Sequence, residues 1–187
     1  MLRKLLVLLL SSSLLTGCSM IQVVEADHSQ HGGLLSKLGD FSMSDLMFAQ
    51  MMIPHHEQAI QMAEWAKTRA EDPKVKALAE KILSEQAPEI ATMSSWLKEA
   101  GQALEDHSMH MTGILSEEEL EKLQALSGKA FDKYFLESMI KHHEGAVVMA
   151  QDALNTSNVI VKTLLENIIQ TQNLEISEMQ KLLELSN

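Results

Sequence analysis

The chain is predicted to be all-α, a four-helix bundle built from a duplicated helical hairpin. Three observations carry this reading. Leu, Ala, Met, Glu, Gln and Lys dominate the 187 residues, and these are helix formers. Aromatic residues make up only 4%, whereas β-sandwiches and barrels draw on aromatic and β-branched side chains. The third observation is an internal repeat. Met52-Ile53-Pro54-His55-His56-Glu57-Gln58-Ala59-Ile60-Gln61-Met62-Ala63 matches Met139-Ile140-Lys141-His142-His143-Glu144-Gly145-Ala146-Val147-Val148-Met149-Ala150 at an offset of 87, which also aligns Phe48 with Phe135. At an offset of 86, Ile82, Gln86, Glu89, Ile90, Met93 and Leu97 align with Ile168, Gln172, Glu175, Ile176, Met179 and Leu183. One hairpin alone would expose an apolar stripe; two paired hairpins bury both.

The elements follow in order. In residues 1–17, Arg3 and Lys4 precede an apolar stretch from Leu5 to Leu15 that is short for a spanning helix, which fits a secretory signal peptide. Leu15-Thr16-Gly17-Cys18 resembles the bacterial lipobox, in which the cysteine is diacylated and becomes the mature N-terminus. The alternative is a plain signal peptide with a chance cysteine, but the one Cys of the chain stands where the lipid signal needs it. Removal of Arg3 and Lys4 takes the basic residues from 15 to 13 against 26 acids, a mature net charge of -13. The expected location is the bacterial cell envelope, on the periplasmic face, anchored to a membrane through Cys18, with Ser19 favouring the outer membrane. Residues 18–41, with Gly32 and Gly33, read as a flexible tether, and residues 42–187 as the bundle.

Within the bundle, Ser42 or Ser44 is the expected N-cap of a helix running to Arg69. Asp72 caps and Pro73 opens a second helix that runs to about Ala100 and stops at Gly101. Residues 101–115 read as a loop. Ser116 with Glu119 makes a capping box for a short helix. A third long helix spans about 128–154, residues 155–158 turn, and the last helix spans about 159–185. Pro54 is expected to kink the first helix and free the Gln50 carbonyl.

Composition excludes several functions. A formal net charge of -11 makes phosphate-backbone binding improbable, so no nucleic-acid partner is expected. One cysteine excludes a disulfide framework or a multi-cysteine zinc site. No nucleophile–base pair or phosphate loop is present, which points to a binding protein rather than an enzyme. The informative residues are the 13 Met and 8 His. At ~100° per residue, Phe48, Met52, His55, His56, Ala59, Met62 and Ala63 fall in one arc of ~120°, and Glu57 falls outside it. Met139, His142, His143, Ala146 and Met149 repeat the arrangement. Buried histidines must hydrogen-bond or bind a metal to offset desolvation. Met52 with His56 and Met139 with His143 are i,i+4 pairs, within reach of a common point. Thioether with imidazole is a soft, neutral ligand set suited to Cu(I) and Ag(I). On the partner helices, Gln86, Glu89 and Met93 share a face, as do Gln172, Glu175 and Met179, and the two glutamates could orient the imidazoles. The competing reading is polar core packing, which a copied hairpin would copy as well. A smaller repeat, Asp27-His28-Ser29-Gln30-His31 against Asp106-His107-Ser108-Met109-His110-Met111, suggests accessory metal capture at His28, His31, His107, Met109, His110 and Met111; an ordinary polar loop is the alternative.

The pattern Phe-x-x-x-Met-Ile-x-His-His-x-x-Ala-x-x-Met-Ala, then Gln-x-x-Glu-Ile-x-x-Met, resembles the CopM-like bacterial family over about residues 41–185, in both copies. The resemblance implies a ferritin-like, periplasmic or secreted bundle that binds Cu(I) and Ag(I) through Met and His and serves copper resistance. Residue by residue it points to Met52, His55, His56, Met62, Met139, His142, His143 and Met149. It is weaker over 101–127, where no site is carried over. A sink would hold several ions; a carrier would exchange one with copper-handling protein partners. Three rivals remain open: a di-iron bundle, which wants Glu-x-x-His motifs, whereas no Glu stands three residues before the His of the helical repeats; a haem bundle with Met and His axial ligands; and a helical envelope module without metal.

Overall fold

The computed structural model describes residues 40–105 and 111–186, and its described residues form five helices. We label them α1 (Met43–Arg69), α2 (Pro73–Glu99), α3 (Glu117–Ala125), α4 (Gly128–Ala153) and α5 (Val159–Ser186). The Cys18 signal, residues 18–39 of the tether, including His28 and His31, and His107, Met109 and His110 lie outside the described residues.

Local chemistry sets the boundaries. Of the two candidate serines, Ser42 caps α1: its side chain accepts from Asp45 N and the Asp45 carboxylate accepts from Ser42 N at 2.8 Å. Such a cap is worth about 1 kcal/mol. Asp72 caps α2 by accepting from Lys74 N at 2.8 Å, ahead of Pro73. Ser116 and Glu119 form the box that opens α3. The Asn158 side chain accepts from Ile160 N and Val161 N at the start of α5. Gly101, at φ 67°, takes the left-handed turn that ends α2. Pro54 sits inside α1 without ending it, and Pro88 sits inside α2 likewise.

The tether boundary needs correcting by a residue. Phe41 is buried and its ring lies 5.5 Å from that of Trp96, so folded packing starts before the helix cap. The reason is apolar burial: an aromatic next to the cap can seat on the end of α2.

α1 packs along α2, α4 along α5, and the hairpins meet mainly through α1 against α4, with lighter contact between α2 and α5. Two apolar clusters fill the bundle. One gathers Phe48, Ala49 and Met52 of α1 with Ala146, Met149 and Ala150 of α4. The other gathers Ala59, Met62 and Ala63 with Phe135, Leu136 and Met139. Residues before the His pair of one helix therefore meet residues after the His pair of the other. α1 and α4 run antiparallel about a pseudo-twofold that passes through the four histidines. Among the described residues, no helix is long and apolar enough to cross a membrane.

Candidate metal centre

The pseudo-twofold brings His55, His56, His142 and His143 into one layer between the two apolar clusters. All four are at most 1% exposed. The rings of His55 and His142 are 3.8 Å apart between centroids, and each lies 6.3–6.4 Å from its own neighbour, His56 or His143. Met52, Met62 and Met139 are fully buried and Met149 is nearly so. Met52 and Met149 lie in the cluster on one side of the layer, Met62 and Met139 in the cluster on the other. Met93 and Met179 are fully buried in the same two clusters.

Each outer imidazole is held by the partner helix of its own hairpin. His56 Nε2 lies 2.7 Å from Glu89 Oε2, and His143 Nε2 lies 2.8 Å from Glu175 Oε2. His55 Nε2 lies 3.2 Å from the Thr112 carbonyl. A carbonyl or an ionised carboxylate can only accept, so each Nε2 donates and Nδ1 is the second nitrogen of each ring. Those three Nδ1 atoms are buried without a partner, and so are both ring nitrogens of His142. Buried polar atoms are normally satisfied, because leaving one bare costs about 1–3 kcal/mol. Here the bare atoms concentrate in one layer. They are joined by both side-chain polar atoms of Gln86 and by Gln172 Oε1, and Gln86 and Gln172 are each 2% exposed.

Burial disfavours the charged form of His55, His142 and His143. Burial first, then His56, lowers the His55 pKa to about 3, with the Thr112 hydrogen bond opposing. Burial and His56 likewise lower His143 to about 3. His142 is held well below the usual histidine range by burial and then by His55. Neutral imidazoles with free lone pairs are the state that ligates a metal. Behind them lies a carboxyl pair. Burial, then a hydrogen bond with Glu175, pushes Glu85 up to about 7, and burial raises Glu175. One oxygen of each, Glu85 Oε2 and Glu175 Oε1, is buried without a hydrogen bond. Lys81 Nζ reaches Glu175 Oε1 at 3.8 Å and Glu178 Oε2 at 3.6 Å.

The connection between hairpins covers this layer, which the sequence did not foretell. Gln58 donates to the Leu115 carbonyl at 3.0 Å and accepts from Leu115 N at 2.7 Å. At the equivalent position of α4 stands Gly145, where a Cβ would lie 2.0 Å from the Thr112 carbonyl oxygen. Residues 111–115 therefore lie across α1 and α4 as a strap. Met111, expected in an accessory polar site, is instead buried in the apolar cluster that holds Met52. Its side chain follows the strap onto the bundle rather than into solvent. Glu57 and Glu144 are exposed. Among the described residues, no group of three His, Cys, Asp or Glu side chains could hold a metal ion. The flanking clusters add the thioethers of Met52, Met149, Met62 and Met139, and sulfur with imidazole nitrogen suits a soft cation.

Fold and layer together define a four-helix bundle whose core is crossed by a plane of ligand-type side chains. The chain belongs to the family described as domain of unknown function DUF305, which matches residues 45–183. It is similar to a putative secreted DUF305 protein from Streptomyces coelicolor at 31% identity and a TM-score of 0.72, covering 76% of this chain and 93% of that one. It is similar to CopM in its Cu(I)-bound form at 33% identity and a TM-score of 0.66, covering 75% of this chain and 95% of that one. CopM has also been solved bound to silver and to Cu(II). A 57-residue stretch is 42% identical to the uncharacterized protein L153 of Acanthamoeba polyphaga mimivirus, covering 30% of this chain and 38% of that protein's length. The expected CopM-like, all-α assignment is borne out by these matches.

Proposed function

We propose that this chain is an envelope lipoprotein that binds Cu(I), and by the same softness Ag(I), through buried histidine and methionine, and serves copper resistance or homeostasis as a sink or carrier rather than an enzyme. One observation carries the reading: four buried imidazoles with unpartnered Nδ1 atoms stand in a layer flanked by the clusters that hold the methionines. CopM, similar over three-quarters of the chain, is known in Cu(I)- and silver-bound forms. Met52, His55, His56, Met62, Met139, His142, His143 and Met149 are the candidate donors. Glu89 and Glu175 fix the tautomer and aim of His56 and His143. Bound metal would supply the counterpart that the bare nitrogens lack. The geometry speaks against the haem alternative, because rings 3.8 Å apart leave no room for a macrocycle between His55 and His142.

Competition for Cu(I) against a chromophoric chelator, under anaerobic conditions, tests the proposal. His56→Ala with His143→Ala should remove most Cu(I) binding while helix content persists. Met52→Leu with Met139→Leu keeps volume and removes sulfur, so Cu(I) affinity should fall more than Zn(II) affinity. A His double variant that binds like the parent would sink the assignment. Equal losses for both metals in the Met variant would assign the thioethers to packing.

A further inference from the structure

α1 carries a second set of soft donors outside the buried layer. Met43, Met47 and Met51 follow one another at i, i+4 and i+8, and the next step of four is His55. Their burial is graded. Met43 is 52% exposed, Met47 is 43% exposed, Met51 is half-buried against the apolar cluster that holds Met52, and His55 is fully buried. Each step of four advances ~6 Å along the helix and turns the side chain by ~40°. Neighbours four apart can reach a common point. The row therefore winds from solvent at the first turn of α1 into the core at His55.

Two observations separate this row from ordinary packing. Duplication does not account for it, because the equivalent positions of α4 are Ala130, Tyr134 and Ser138. Burial does not account for it either, since Met43 and Met47 are among the exposed large hydrophobic side chains. Three flexible thioethers in sequence form a neutral, polarizable track that offers two sulfurs at each step. The strap closes the other approach, where Thr112 seats on His55.

We propose that Met43, Met47 and Met51 form an uptake ladder for a soft monovalent d10 cation, Cu(I) or Ag(I). Met43 and Met47 capture the ion at the surface, and Met51 passes it to His55. The ladder rests on the proposed buried centre for its destination, while the surface site stands on its own residues.

The test uses the full chain with 13C-methyl methionine, Ag(I) as the probe, and Met→Leu variants to assign each methyl. The Met43 and Met47 methyl resonances should shift on Ag(I) addition. In Met43→Leu/Met47→Leu/Met51→Leu, transfer of Ag(I) from a chelator to the interior should slow several-fold while final interior occupancy matches the parent. Unmoved Met43 and Met47 methyls, or an unchanged transfer rate, would overturn the ladder. Interior methyls, those of Met52 and Met139, report the buried centre separately. If they stay still while Met43 and Met47 shift, the surface site stands and the buried centre fails. If the interior methyls shift at the parental rate in the triple variant, the centre stands and the ladder fails.

Discussion

His55 and His142 occupy the same place in the repeat, yet their surroundings differ. His55 gives its Nε2 proton to Thr112, while His142 meets only the His55 backbone and makes no well-formed hydrogen bond. Beside them, Gln58 holds the strap by two hydrogen bonds, whereas Gly145 lets the strap backbone press against α4. Pro54 precedes His55; Lys141 precedes His142 and pairs with Glu119 at 3.1 Å. Glu85, pushed up to about 7 by burial and then by Glu175, has Thr171 as its counterpart. The inward His and Met are thus copied, while the residues that seat the strap have diverged. A copied core alone would leave the connection free to drift away. A strap fitted to one copy by a glutamine and to the other by a glycine indicates a layer that must be covered.

Substitutions can break this asymmetry. Gly145→Ala should have the largest effect, because its Cβ would collide with strap backbone at 2.0 Å. Overpacking of this kind costs about 3 kcal/mol or more where backbone must move. Urea unfolding measures it, and an unchanged midpoint would mean that the strap is not seated on α4. Gln58→Ala removes two hydrogen bonds and should cost less, about 1–2 kcal/mol.

His142→Leu sharpens the comparison in the opposite direction. It removes two bare buried nitrogens, so the metal-free protein should gain about 1–2 kcal/mol. The same variant should lose the rise in melting temperature that the proposed centre predicts for the parent with Cu(I) or Ag(I). His55→Leu forfeits the Thr112 bond and should bring no such gain. A metal-free His142→Leu protein less stable than the parent would show that His142 is satisfied after all.

A shallower effect follows from pH. Unfolded histidine titrates near 6.5, while burial holds folded His55 and His143 down to about 3 and His142 well below its usual range. Between those limits the unfolded chain binds protons that the folded chain refuses, so stability rises with pH. The metal-free protein should therefore lose stability as pH falls from about 6.5 toward 3. Melting temperatures at pH 7 and pH 5 check this, and His142→Leu should flatten the slope. Lys141→Ala, which breaks an exposed pair, should shift stability least, by about 0.5 kcal/mol.

Much of the fold was legible because its signals are local. Ser42, Asp72 and Ser116 announce helix starts, Gly101 a stop, and the repeat reveals the hairpin pairing. The inward set was legible because helical spacing alone places His55, His56 and Met52 on one face, and Glu89 and Glu175 on facing stripes. The strap was not legible. Nothing in residues 111–115 is periodic, and its seat depends on Gln58 and Gly145, which are distant in sequence. The one available signal was the mismatch of a glycine against a glutamine inside an otherwise matched repeat. Glu85 was missed because it has no counterpart in the second copy, and its partner Glu175 lies on another helix. Met111 looked like a loop ligand because its neighbours are polar, and only tertiary packing shows it buried.

The central claim is that histidine nitrogen and methionine sulfur together hold a soft metal inside the bundle. X-ray absorption at the copper edge of the Cu(I)-loaded protein tests it most directly. The account predicts a mixed shell of sulfur and imidazole nitrogen, with the sulfur contribution reduced in Met52→Leu/Met139→Leu. A shell of nitrogen and oxygen alone, unchanged in that variant, would contradict it.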